Sequence, residues 1–294
     1  MAVRKKSTRK PVQKPKKNYY LLNKAKKLEA ESAVWDRTEC PKAVATRISE
    51  RFDILEYLVN ESIEGKVRAL IVSGPAGLGK SYTVESALEV ADPDEQRHAY
   101  IKGFVKPTGL FKLLHQFRHE GNVIVFDDAD AIFNDESSLN MLKAVCDTTE
   151  RRKVSYMSEH VLIDEETDER IPKTFQFDGT IIFVTNYDFD QMIEKDHKLT
   201  PHLKALISRA HYVDLKLKTK QDYLIRIRDV IEHGLLDHKC RDDYEAQDVV
   251  QFIEEHADTL RELSLRTAIK LADIRRGDTP NWAAIARITT CRMT

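Results

Sequence analysis

Apolar positions along this chain follow two periods. Between residues 43 and 61, Ile48, Phe52, Leu55 and Leu58 fall on one helical stripe, which predicts an amphipathic helix packed on a core. Short apolar runs follow at Leu70-Ile71-Val72, Ala99-Tyr100-Ile101, Val123-Ile124-Val125-Phe126, Thr180 through Thr185, and Tyr212-Val213-Asp214-Leu215. Between them lie helical stretches: Tyr82 to Val90, Thr108 to His119 (Leu110, Leu113, Leu114, Phe117), Ser137 to Thr149 (Leu139, Leu142, Val145) and Leu203 to Ile207. Strands alternating with helices point to an α/β fold, a five-stranded parallel sheet flanked by helices.

The alternation fails twice. Residues 151–178 hold two strand-like ends, Val154-Ser155-Tyr156 and Thr174-Phe175-Gln176-Phe177, around an acidic turn from Asp164 to Glu169, the pattern of an inserted hairpin. Past Lys218 strand signal gives way to helical stripes. These are Tyr223, Ile227 and Val230; Val249, Val250, Ile253 and Leu260; Leu265, Ile269 and Ala272, N-capped by Ser264; and Trp282, Ile285 and Ile288. The expected organisation is therefore a tail over 1–35, an α/β core over 36–217 and a small helical domain over 218–294.

Composition changes this picture only at the N-terminus. The net charge of the 294-residue chain is −1, so no global electrostatic case exists for nucleic acid. Lys and Arg nevertheless crowd the stretch through Lys27, and no acid precedes Glu29. Such a segment cannot bury enough apolar surface to offset its ordering entropy and is expected to be disordered. It is either a solvated tail or a nucleic-acid contact in which Tyr19 and Tyr20 stack beside Lys24, Lys26 and Lys27. Cys40, Cys146, Cys240 and Cys291 form neither a C-x-x-C pair nor a zinc spacing, which suits free thiols in a reducing compartment. No apolar segment reaches membrane-spanning length and no secretory signal is legible, so a cytoplasmic protein is expected.

The chemistry starts directly after the first apolar run. Gly74-Pro75-Ala76-Gly77-Leu78-Gly79-Lys80-Ser81 matches G-x-x-x-x-G-K-[ST] without departure, and Tyr82 continues into a helix. Glycines let consecutive backbone N–H groups turn inward around an anion, and the helix N-terminus adds favourable field. Lys80 is then expected to reach the β- and γ-phosphates of a nucleotide, and the Ser81 hydroxyl to ligate Mg²⁺. The third apolar run ends in Asp127-Asp128-Ala129-Asp130. Carboxylates at that strand end face the phosphates, where Asp127 holds the Mg²⁺ hydration shell and Asp128 polarises the attacking water. Asp130 reads instead as a helix N-cap. Asn186 ends the fourth apolar run, between the strand bearing the carboxylates and the P-loop strand, placed to orient the lytic water.

In its order of motifs the chain from about residue 40 onward resembles the AAA+ ATPases, a branch of the P-loop NTPases, and is similar to uncharacterised phage-encoded members. For a phage-encoded protein the compartment implied is the host cytoplasm. The resemblance implies a homo-oligomeric ring, most often a hexamer, with the C-terminal helical domain as a lid. It makes Asn186 the sensor 1 residue, Arg209 the arginine finger reaching a neighbouring subunit's ATP, and Arg266 the sensor 2 arginine. One departure stands out: Asp128 occupies a position where the family usually has glutamate. In such a ring the loop Gly103-Phe104-Val105-Lys106-Pro107 is the natural pore loop. Phe104 either grips a polypeptide, stacks a base or packs inward, and Lys106 favours phosphate. Residues 151–178 resemble the hairpin that precedes sensor 1 in one branch of the family, with Arg151, Arg152, Lys153 and Lys173 available to DNA. Three functions follow: a motor in DNA metabolism such as a helicase, translocase or replication loader, a protein remodeller, or an ATP-gated scaffold.

Overall fold

The computed structural model describes residues 40–292 apart from 158, 160, 165–167, 196–197, 218 and 278–279. The basic tail therefore lies outside the described residues.

Helix α1 (Pro41–Ile63) opens with proline in its first turn and buries Val44, Ile48, Phe52, Leu55 and Val59 at helical spacing. It leads into strand β1 (Ala69–Ser73), buried along its whole length. The phosphate loop follows, then α2 (Lys80–Ala91), β2 (His98–Lys102), α3 (Pro107–Gln116) and β3 (Val123–Asp127). A 3₁₀ turn (Asp130–Asn134) precedes α4 (Glu136–Val145); β4 (Lys153–Ser155) and β5 (Thr174–Gln176) form a separate antiparallel pair. Then come β6 (Thr180–Thr185), α5 (Phe189–Glu194), α6 (Thr200–Ile207) and β7 (His211–Asp214). The main sheet has five strands in the order β2-β3-β6-β1-β7, with every pair parallel. Because both faces are covered, β1, β3 and β6 are buried throughout, which is why they read as unbroken apolar runs.

Two cores sandwich the sheet. Ile71, Ile124, Phe126, Ile181 and Phe183 point to the side covered by α3, α4 and α6. Leu70, Val72, Val123, Val125, Ile182 and Val184 point to the side covered by α1 and α2. The α/β P-loop architecture expected from the sequence is thus the one observed, together with a third core, in the C-terminal helices.

Those helices are α7 (Lys220–Glu232), α8 (Asp243–Glu255), α9 (Leu265–Arg276) and α10 (Trp282–Thr290). α7 begins with a reciprocal capping box between Thr219 and Asp222. Ser264 caps α9 by accepting from the Thr267 N–H, as its position before the apolar stripe predicts. The stripe expected on α10 is corrected. Its buried face carries Ala286 and Thr290, whereas Ile285 and Ile288 are exposed. Leu260 likewise lies beyond α8, bridged to Cys291.

Candidate functional site: the phosphate loop and the ends of β3 and β6

Parallel strands leave their carboxyl ends open to ligands, and here the order places β6 between β3 and β1. Asp127 and Asp128, Asn186, and the loop from Gly74 to Ser81 consequently meet at one edge. Gly74, Gly77 and Gly79 have φ of 155°, 72° and 98°. α2 then starts without a side-chain cap, so its first N–H groups are left to an incoming anion. Leu78 is the exception within the loop: its side chain is buried in the core, and only its backbone serves the cradle. Tyr82, one turn into α2, is exposed.

Lys80 is buried, and its ammonium donates to the Gly74 carbonyl (2.6 Å), the Pro75 carbonyl (2.8 Å) and Asn186 Oδ1 (3.0 Å). Burial lowers its pKa to about 8, against the opposing pull of Asp128 and Asp127. Asn186 Nδ2 in turn donates to Asp128 Oδ1 at 2.6 Å. A single amide therefore bridges the loop lysine and the second carboxylate. Asp128 sits at φ 51°, in the left-handed region that a non-glycine residue adopts at a cost, and is exposed at the strand end.

Asp127 is buried, with both oxygens engaged: Oδ1 accepts from Ser81 Oγ at 2.9 Å, and Oδ2 accepts from Tyr100 OH at 3.1 Å. Burial and the neighbouring Asp127 raise the Tyr100 pKa, keeping the phenol a donor. Lys102 Nζ stands 3.7 Å from Asp127 Oδ2 and 2.5 Å from Glu85 Oε1. A hydroxyl beside a carboxylate is the hard oxygen donor set that Mg²⁺ takes when phosphate oxygens complete its shell. Among the described residues no group of three or more His, Cys, Asp or Glu could hold a metal unaided. The residues present fit Mg²⁺ arriving with a nucleotide.

Asp130 is not an N-cap. Its carboxylate accepts from Thr185 Oγ1 at 2.5 Å and is raised by burial, so it ties β3 to the end of β6 just before Asn186. The sequence could not separate these roles, because an acid after a strand suits either.

The C-terminal helices rest directly on the loop. Leu265 N donates to the Gly77 carbonyl at 2.8 Å, and a Cβ on Gly77 would stand 2.6 Å from Ser264 Cβ. Gly77 is therefore demanded twice, by its φ and by the approach of Ser264. Arg266, second in α9, is exposed and near enough for its charge to act on Lys80. Arg226 of α7 packs its guanidinium 3.5 Å from the Phe52 ring centroid and pairs with Asp229 at 3.1 Å. It approaches Gly79, whose absent Cβ would lie 3.8 Å from Nη2. Neither Tyr100 nor Arg226 was legible beforehand. Tyr100 reads as strand filler, and Arg226 is one charge among many on a C-terminal helix.

Arg209 lies apart from this cluster. It follows α6, donates from Nη1 to the Ala205 carbonyl (2.8 Å), and its Nε is 3.5 Å from Asp147 Oδ1, with the side chain 34% exposed. Phe104 is 73% exposed, which removes the inward-packed alternative, and Lys106 beside it is exposed too. Arg152 cannot face DNA. It is buried, donating to the carbonyls of Val145 and Gly179, and so closes the C-terminal end of α4.

No family model matches the chain. It is 37% identical over 243 residues to a 36.7 kDa uncharacterised protein from the nrdC–mobD intergenic region of Enterobacteria phage T4, covering 82% of this chain and 74% of that one. Among solved structures, NtrX from Brucella abortus in complex with ATP aligns with TM-score 0.45 and 12% identity, over 89% of this chain and 57% of that chain. RuvB from Thermotoga maritima aligns with TM-score 0.48 and 13% identity, over 83% and 69% of the two chains. Domain III of the replication initiation protein DnaA, also from Thermotoga maritima, aligns with TM-score 0.44 and 14% identity over 84% and 92%. No described helix is long and apolar enough to cross a membrane.

Proposed function

The chain belongs to the family of the 36.7 kDa phage T4 protein, and on that premise we propose that it is a Mg²⁺-dependent ATPase of AAA+ type, acting as a homo-oligomeric ring in DNA metabolism. The observation that carries this reading is the connected set Lys80–Asn186–Asp128 lying beside Ser81–Asp127. In it a buried cation, two carboxylates and a hydroxyl converge beside the glycine-rich loop. Lys80 binds the phosphates, Ser81 and Asp127 hold Mg²⁺, and Asp128 accepts the proton of the attacking water while Asn186 orients both. Mg²⁺, when bound, neutralises charge that develops on the phosphate oxygens. Arg266 adds positive charge from the lid, and Arg209 is the cation offered to the next subunit.

Lys80 gives a pH signature. An amine whose pKa is lowered to about 8 is charged below that pH and neutral above it. ATP affinity is therefore expected to weaken about tenfold between pH 7 and pH 9, and K80A should flatten that profile. Isothermal titration at both pH values checks this.

DNA is favoured as the polymer by the basic N-terminal stretch and by exposed Lys106 beside Phe104. A protein substrate is the second reading, favoured by the exposed ring of Phe104 itself. The test is ATP hydrolysis by the full chain with single-stranded DNA, duplex DNA or an unfolded protein. Stimulation by DNA alone is expected. Stimulation by unfolded protein alone would select the remodeller, and absence of ATP binding would overturn the whole reading.

A further inference from the structure

The edge strand β2 sends two side chains to the carboxylate read above as a Mg²⁺ ligand. Tyr100 and Lys102 lie two residues apart and so on one face of the strand. In the parallel register with β3, Tyr100 pairs with Val125 and Lys102 with Asp127. Tyr100 OH donates to Asp127 Oδ2 at 3.1 Å, while Ser81 Oγ donates to Oδ1 at 2.9 Å. The carboxylate is thus fixed at both oxygens. Lys102 brings a positive charge to within 3.7 Å of the same Oδ2, and Glu85 holds that ammonium in place at 2.5 Å. The two contacts act oppositely on a cation. A donor that fixes a ligating carboxylate pre-organises it, and loss of such an outer partner typically weakens metal binding about 10- to 100-fold. An ammonium beside the same oxygen competes with the metal for it, an effect screened by salt where the side chain is exposed.

We propose that β2 sets the site's affinity for its divalent cation through these two opposed contacts. Tyr100 is a positioning residue that holds Asp127 in its ligating orientation. Lys102 is a resident counter-cation that the divalent ion displaces from Asp127. The proposal rests on the reading of Ser81 and Asp127 as metal ligands.

The test is a Mn²⁺ titration of the full chain saturated with ADP, following the paramagnetic resonance signal of free Mn²⁺, for wild type, Tyr100→Phe, Lys102→Met and Asp127→Asn. Tyr100→Phe is expected to weaken Mn²⁺ about tenfold. Lys102→Met is expected to tighten it about threefold in dilute buffer, a gain that fades as salt is raised. ADP affinity measured in EDTA should be the same in both variants. A general packing defect would shift both the same way, so that result overturns the proposal, as does no shift in either while Asp127→Asn weakens Mn²⁺. If Asp127→Asn itself leaves Mn²⁺ affinity unchanged, the metal reading fails and this proposal with it.

Discussion

Replacing Arg209 by alanine is expected to lower ATP turnover about 10³-fold or more while leaving ATP affinity nearly unchanged. Hydrolysis spreads negative charge over the transferred phosphoryl oxygens, and a guanidinium delivered from outside the pocket acts on that charge more than on the bound ground state. The placement of Arg209 suits such a role. It stands at the end of α6, away from its own chain's phosphate loop, with Nη1 on the Ala205 carbonyl and Nε 3.5 Å from Asp147. An ion pair this long and a third exposed is worth about 1 kcal/mol at most, so it is readily exchanged for phosphate. Single-turnover hydrolysis alongside equilibrium ATP binding separates the two effects. Wild-type turnover by R209A would remove this residue from the chemistry.

The second large effect is expected at Asp128. Changing it to asparagine keeps the shape and the hydrogen-bonding partner Asn186 but removes the group proposed to accept the water's proton, a contribution of about 10²- to 10⁴-fold in rate. The variant should bind ATP and retain it. The same position limits the wild type: aspartate is one methylene shorter than glutamate, and its backbone is held at φ 51°. Turnover is therefore expected to be modest, since the water has to approach closer to a short side chain. Rapid-quench measurement of chemistry in Asp128→Asn, with ATP retention on a filter, reads both quantities. Undiminished hydrolysis would assign the base elsewhere.

Much of this site was legible because local chemistry dictates it. The glycine–lysine–serine spacing constrains a loop through its own backbone, and buried parallel strands announce themselves by apolar runs on both faces, so Lys80, Ser81, Asp127 and Asn186 could be placed from the sequence. What was not legible depends on partners far away in the chain. Arg152 looks like a surface cation until the Val145 and Gly179 carbonyls are seen to surround it. Asp130 looks like a cap until Thr185 is found beside it. Tyr100 occupies a half-buried edge strand whose pattern says nothing of a carboxylate two residues along the neighbouring strand. The stripe on α10 misled because Ile285 and Ile288 share a spacing that tertiary packing did not use.

The claim everything turns on is that one subunit's phosphate loop works with the next subunit's arginine. Mixing two inactive proteins addresses it: K80A lacks the loop cation but keeps Arg209, and R209A has the reverse defect. Random co-assembly pairs an intact loop with an intact arginine at roughly a quarter of head-to-tail interfaces, so an equimolar mixture is expected to regain up to about that fraction of wild-type ATP turnover. A mixture as inactive as its components, in assemblies shown to contain both, would contradict the account.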